Sequence, residues 1–202
     1  MSSKAKKILC ICAGIIIVAV CVIIFVMSAD KEDKNKSTVR TEPTVTIKTP
    51  EKISDNDFSV DVTVSSLGDA IYPAVSMCID FDSEYLEFKG VKNGNVKVMG
   101  NTSDGQIPEW NIDTGYSNET GKINIMYLDV SGGKYAFSDS FLNDRNNILF
   151  TLDFSLKNNA ESGDTYELDI EDAVFATADS EKSLAVNSGT LKTQNGKIIL
   201  ED

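Results

Sequence analysis

The stretch "KINIMYLDVSGGKYAF", Lys122 to Phe137, decides how this chain is read. Side chains alternate across a pleated strand, so Ile123, Ile125 and Tyr127 share one side, and Met126 and Leu128 the other. A strand that is apolar on both sides has to be covered twice. It ends at Asp129-Val130-Ser131-Gly132-Gly133, a corner whose residues would suit a catalytic loop, a metal loop or a plain turn.

Working outward, the same grammar repeats. "TVTIKT" (44–49), "FSVDVTVSS" (58–66), "AVSMCIDFD" (74–82), "YLEFKGV" (85–91), "NILFTLDFSLK" (147–157), "TYELDI" (165–170), "AVFATA" (173–178) and "SLAVNSGTLKT" (183–193) are short, β-branched and aromatic runs. Turn chemistry separates them: "KNGN" at 92–95, "SDG" at 103–105, "SGD" at 162–164 and "NSG" at 187–189. Phe58, Val60, Val62 and Val64 alternate with Ser59, Asp61, Thr63 and Ser65, one face dry and one wet. No window carries a helical stripe, and "DSFLNDRNN" (139–147) suits one turn only. Eight or nine such strands without a βαβ rhythm predict an all-β sandwich or barrel.

The first thirty residues differ. Lys4, Lys6 and Lys7 precede the apolar run "ILCICAGIIIVAVCVIIFVM", Ile8 to Met27. At ~1.5 Å per residue that run can cross a ~30 Å hydrocarbon core as a helix. A cleaved signal ending near Ala29 is the competing reading, but its apolar region would be only about 7–15 residues. The predicted layout is a cytoplasmic N-terminus (1–7), a transmembrane anchor (8–28) and a flexible charged stalk (29–43). A β-sandwich (44–194) and a C-terminal tail (195–202) follow. The lysines before the span place the domain outside a bacterial cell.

All 31 acidic residues follow the span with 16 of the 19 basic ones, a formal charge of −15 on the exported part. Such charge argues against nucleic acid as a partner. Three of the four cysteines lie in the span, which leaves Cys78 alone outside, without a disulfide partner and read as a small buried hydrophobe.

The chain has no histidine. That removes Ser-His-Asp and Cys-His catalysis and histidine-ligated zinc. Neither Asp129–Gly133 nor "DAVFATADSEKS" (172–183) has EF-hand spacing, so Asp129 and Asp179 are read as turn residues. No Lys-Ser/Thr follows Gly132-Gly133, so a phosphate loop fails as well. The expectation is a protein that is not an enzyme and has no cofactor or metal of its own. An alternative is a carbohydrate-binding or adhesive surface domain, for which Trp110, the only tryptophan, with Tyr116 would supply the stacking rings.

The pieces "CIDFDSEYLEFKGVKNG" (78–94), "GKINIMYLDVSGGKYAF" (121–137), "ILFTLDFSLKNNAESGDTYELDI" (148–170) and "VFATADSEKSLAVNSGTLKT" (174–193), in this order, resemble the cohesins. Cohesins are the receptor modules of cellulosomal scaffoldins, and the resemblance runs from about Thr44 to Thr193. It implies a nine-stranded jelly-roll sandwich without catalysis that binds a dockerin, a small helical module that carries its own calcium. Polysaccharide would be met only indirectly, through bound enzymes. The binding face it implies comprises Ala74 and Ser76 on one strand, Ile123, Ile125 and Tyr127 on the next, and Ser131 and Gly132 at the corner. The turn 177–183 would border it. Ala74 and Ser76 depart from the polar Asn and Asp of the commonest cohesin type, which implies a divergent specificity. Met126 and Leu128 would then fill the sandwich, leaving Ile123, Ile125 and Tyr127 as an exposed patch. The bland reading covers that patch with the 100–121 segment.

Overall fold

The alternation at 58–65 is a buried face and a wet one: Val60, Val62 and Val64 are inside, and Ser59 is in solvent. This strand is β2 (Asp57–Val64) in a computed structural model that describes residues 42–100, 108–143 and 146–201. Its neighbours complete a five-stranded sheet in the order β11-β1-β2-β8-β5. They are β1 (Thr44–Lys48), β5 (Leu86–Asn93), β8 (Ile148–Leu156) and β11 (Lys192–Gln194). The second sheet runs β10-β9-β4-β6, with β12 also paired to β9. It contains β4 (Ala74–Phe81), β6 (Lys122–Leu128), β9 (Thr165–Ala176), β10 (Leu184–Ala185) and β12 (Gly196–Ile199). A two-stranded ribbon joins β3 (Ile71–Tyr72) to β7 (Phe137–Ser138). Pairing is antiparallel except between β1 and β11.

The fold is therefore the expected all-β sandwich, with twelve strands among the described residues where nine were expected. Two runs fuse: 165–170 and 173–178 form one strand, β9, which a bulge opposite Cys78 keeps continuous. Another run divides, since 183–193 supplies β10 and β11 to different sheets. The supposed tail 195–202 holds β12, whose Ile198 is fully buried and whose amides pair with β9. The anchor expected at 8–28 and the stalk up to residue 41 lie outside the described residues. Among the described residues no helix is long and apolar enough to cross a membrane.

The inner faces of the two sheets make one core. Phe154 packs with Phe58, Phe81 and Phe88, at ring separations of 5.5–5.7 Å. A second aromatic group gathers around Trp110, which lies 4.6 Å from Phe150 and 5.2 Å from Tyr127.

One side of the sandwich needs a closure, because β5 and β6 are edge strands of different sheets. The 108–121 segment supplies it. Asn111 exchanges two backbone hydrogen bonds with Met126 on β6, at 2.7 and 3.0 Å. A helix, α1 (Thr114–Thr120), follows, and its Asn118 side chain accepts from the Phe88 amide and donates to the Phe88 carbonyl of β5, both at 2.8 Å. Asp113 caps α1 by accepting from the Tyr116 amide, and Gly121 ends it in the left-handed region at φ 71°. Seven residues are under two turns, too few to print a stripe in the sequence.

Candidate functional site

Register decides which side of β6 meets the core. β4 and β6 pair with Ser76 opposite Met126, Cys78 opposite Asn124, and Asp80 opposite Lys122. Residues directly opposite share a face, so Met126 and Leu128 stand with a lysine and an asparagine. Lys122 donates to both Asp80 carboxylate oxygens, at 2.7 and 3.0 Å, and to Glu171 Oε2 at 2.6 Å. That ion-paired face is the wet one.

The expected faces of β6 are thus reversed. Ile123, Ile125 and Tyr127 are at most 1 % exposed and belong to the core. Tyr127 lies 4.7 Å from the Phe137 ring, and its hydroxyl donates to the Tyr135 carbonyl at 2.7 Å. Burial, then the nearby Asp129 carboxylate, raises the pKa of that phenol. None of the three can be an exposed contact. Ala74 and Ser76 do lie on the outer face, half-buried and exposed respectively. Ser131 and Gly132 are exposed at the corner beyond Leu128, the residue paired with Ala74.

The structure adds members that the sequence reading did not place on this face. Met126 and Leu128 come from β6, and Val174 and Ala176 from β9, opposite Ser76 and Ala74. Val174 also pairs with Ala185 of β10. Met126, Leu128 and Val174 are half-buried and pack outside the core cluster. The signal was present: Lys122 and Asn124 have the parity of Met126 and Leu128, and a charged side chain marks the wet side.

Cys78 is also on this face rather than in the core. Its Sγ lies 3.6 Å from Glu171 Oε2, and partial burial, then the Glu171 charge, pushes the thiol up to about 12. A thiol shifted that way stays protonated at neutral pH. Glu171 is held below its usual range by the Lys122 hydrogen bond, whereas partial burial, with Glu171 as a further cause, raises Asp80. Cys78, Asp80 and Glu171 could between them offer three ligand atoms to a cation, but the Lys122 ammonium already bonds both carboxylates.

The Asp129 corner is a self-satisfied turn. Asp129 is 7 % exposed; its Oδ1 accepts from the Ser131 amide and hydroxyl, and its Oδ2 from the Tyr135 amide at 2.9 Å. Gly132 and Gly133 adopt φ of 83° and 94°, which is why two glycines stand there. The Asp129 amide donates to the Pro73 carbonyl, tying the corner to the start of β4. Across the sheet, the 177–183 turn follows Ala176 at the same end, with Asp179 capping its short 3-10 helix. Both turns form the rim.

The outer face of the other sheet is built differently. Ser59 donates to Asp153, Thr151 to Asp61, and Thr46 to Gln194, while Lys92 pairs with Asp153 at 2.6 Å. Such a cross-strand polar ladder is complete in water. Trp110 is only 6 % exposed, a plug in the core, so the carbohydrate reading loses its main stacking ring.

Residues 43–195 match the cohesin domain family, more than half of the chain, and the chain belongs to that family. Cohesin domains are non-catalytic binding modules, so this is not an enzyme. No match was found among curated protein sequences. The fold is similar to the sixth cohesin of scaffoldin B from Acetivibrio cellulolyticus, solved with a dockerin, at 21% identity and a TM-score of 0.57. That comparison covers 80% of this chain and 100% of the other. The OlpC cohesin of Clostridium thermocellum, from a type I cohesin–dockerin complex, gives 0.59 at 11% identity, over 83% and 99% of the two chains. A non-cellulosomal cohesin from the archaeon Archaeoglobus fulgidus gives 0.55 at 14%, over 80% and 93%.

Proposed function

We propose that this domain binds dockerin modules through the outer face of the β10-β9-β4-β6 sheet, centred on Ala74, Ser76, Met126, Leu128 and Val174 and rimmed by Ser131, Gly132 and the 177–183 turn. The observation that carries the reading is the contrast between the two outer faces. One is a polar ladder; the other holds a contiguous apolar quarter, placed by the pairs Ala74–Leu128, Ala74–Ala176 and Ser76–Val174. A contiguous apolar patch on a sheet marks a partner site. The similar cohesins of A. cellulolyticus and C. thermocellum were solved bound to dockerins, which supports the choice of partner.

The apolar run at 8–27 and the charged stretch after it extend the proposal to an anchored receptor. It would hold dockerin-bearing secreted enzymes or scaffoldins at a bacterial surface and touch polysaccharide only through them. Calcium belongs to the dockerin. The test is a titration of the full chain, in detergent micelles, against a panel of calcium-loaded dockerins. Leu128→Asp, which sets a charge within the patch at the end of β6, should weaken any binding by about 2 kcal/mol, or ~30-fold. Silence across a broad panel would overturn the function; full affinity in Leu128→Asp would overturn the site.

A further inference from the structure

We infer that the apolar quarter and its rim form the membrane-proximal end of the domain, so that a docked partner sits beside the lipid surface and the length of chain before β1 sets the room it has. The inference rests on the anchored-receptor reading above and adds how the receptor is held.

Strand pairing defines the two ends of the sandwich. Ala74, Leu128 and Ala176 share a row at one end, where the Asp129 amide bonds to Pro73 and the 177–183 turn leaves β9. At the other end Phe81 pairs with Leu168, and Thr165 pairs with Ile199 of β12. β9 runs its 12 residues from one end to the other, about 40 Å at ~3.3 Å per residue.

The chain enters at the first end. β1 is parallel to β11, so Thr44, its first residue, lies beside Lys192, the first residue of β11. The Pro43 carbonyl accepts from the Lys192 amide at 2.8 Å, and the Thr44 carbonyl from the Ser65 amide at 3.0 Å. Ser65 follows β2 and leads toward β3, whose partner β7 comes just after the Asp129 corner. The Leu67 amide donates to Asp139, the residue after β7, at 2.6 Å. From Lys192 the path to the docking face is equally short. The Leu191 amide donates to the Ala185 carbonyl at 3.2 Å, and Ala185 of β10 pairs with Val174 of the apolar quarter.

Residues 28–41 separate the apolar run from Glu42 and span at most about 50 Å when fully extended. With 8–27 across the bilayer, the rim stays within that reach of the lipid, while the Thr165 end can stand about 40 Å beyond it. A docked helix is about 10–12 Å thick and lies on the edge where the tether enters. Partner and bilayer therefore compete for the same gap. A shorter tether draws the rim onto the lipid and closes it.

The test uses the full chain in phosphatidylcholine vesicles that carry an energy acceptor on the lipid headgroups. Cys10, Cys12, Cys21 and Cys78 are replaced by alanine, and a donor dye is attached at Ser180→Cys in the rim turn or at Glu161→Cys at the far end. The dye at residue 180 should be quenched more strongly than the dye at 161. In a second arm, residues 30–39 are deleted from the otherwise native chain. If about a tenth of the domain orientations then stay clear of lipid, affinity for a calcium-loaded dockerin falls about 10-fold. A Gly-Ser segment of equal length should restore it, because length and not sequence is at issue. The deletion lies outside the sandwich and leaves its packing intact. Equal quenching at the two sites, or stronger quenching at 161, would overturn the orientation. Unchanged affinity after the deletion would overturn the limit on room, and both of these results leave dockerin docking standing. Silence of every dockerin would overturn the docking reading, while the dye pair still reports the orientation. A chain that does not float with the vesicles would overturn the anchored reading and this inference with it.

Discussion

Tyr127 and Met126 are neighbours in sequence and should behave as opposites. Tyr127 is fully buried, lies 5.2 Å from Trp110 and 4.7 Å from Phe137, and donates a 2.7 Å hydrogen bond. Truncating a large buried aromatic to alanine costs ~3–5 kcal/mol, through lost transfer energy and the cavity left behind. At roughly 2–4 °C per kcal/mol for a domain of this size, Tyr127→Ala should lower Tm by about 10 °C. Tyr127→Phe keeps the packing and loses the hydrogen bond, for about 1 kcal/mol. Met126 is half-buried and packs outside the core, so Met126→Ala should cost below ~1 kcal/mol while weakening dockerin binding. Calorimetry and urea denaturation of the three variants check the order. If Met126→Ala melts well below Tyr127→Ala, the two faces of β6 have been assigned the wrong way round.

Three further outcomes follow from the same geometry. Tyr72 and Tyr127 have raised pKa values, burial first among the causes, and burial with an Asp164 hydrogen bond pushes Tyr166 up to about 12. The fold holds all three phenols neutral, whereas unfolded tyrosine ionises near 10.0. Their contribution to stability is intact below pH 10 and is lost as pH rises through the folded values, which phenolate absorbance and denaturation at alkaline pH would follow. Cys78 should resist alkylation by iodoacetamide at mildly alkaline pH in the native protein and react on unfolding; fast native labelling would contradict its position beside Glu171. Asn118→Ala removes both side-chain hydrogen bonds to Phe88 and should cost about 2 kcal/mol, with faster amide exchange at Phe88.

Much of this was legible in the residues. Period-two alternation at 58–65 and 74–81 reports burial on one face, and the core of β2 and β4 follows it. The absence of histidine and of metal-loop spacing reduced the Asp129 corner to a turn, and its hydrogen bonds are those of a turn. The family resemblance rested on the order of the strands, and the family match spans 43–195. Short pairings were not legible: β3, β7 and β10 are two residues each, and β12 sat in a supposed tail. Strands that short gain their order from the partner, not from their own composition.

The sequence by itself determined that a β-sandwich forms, that it lacks the parts of a common enzyme, and that 122–128 has two apolar sides. Which side of that strand is core was decided only by tertiary pairing. A slip of one residue in register exchanges every side chain between core and solvent. Here the Lys122–Asp80–Glu171 cluster and the Trp110 plug bias the choice from opposite faces. The cluster keeps the even-numbered side in water, and the aromatic group draws Tyr127 inward. Composition counted two greasy faces; the partners across the sheet and across the core assigned one to the core and turned the other outward.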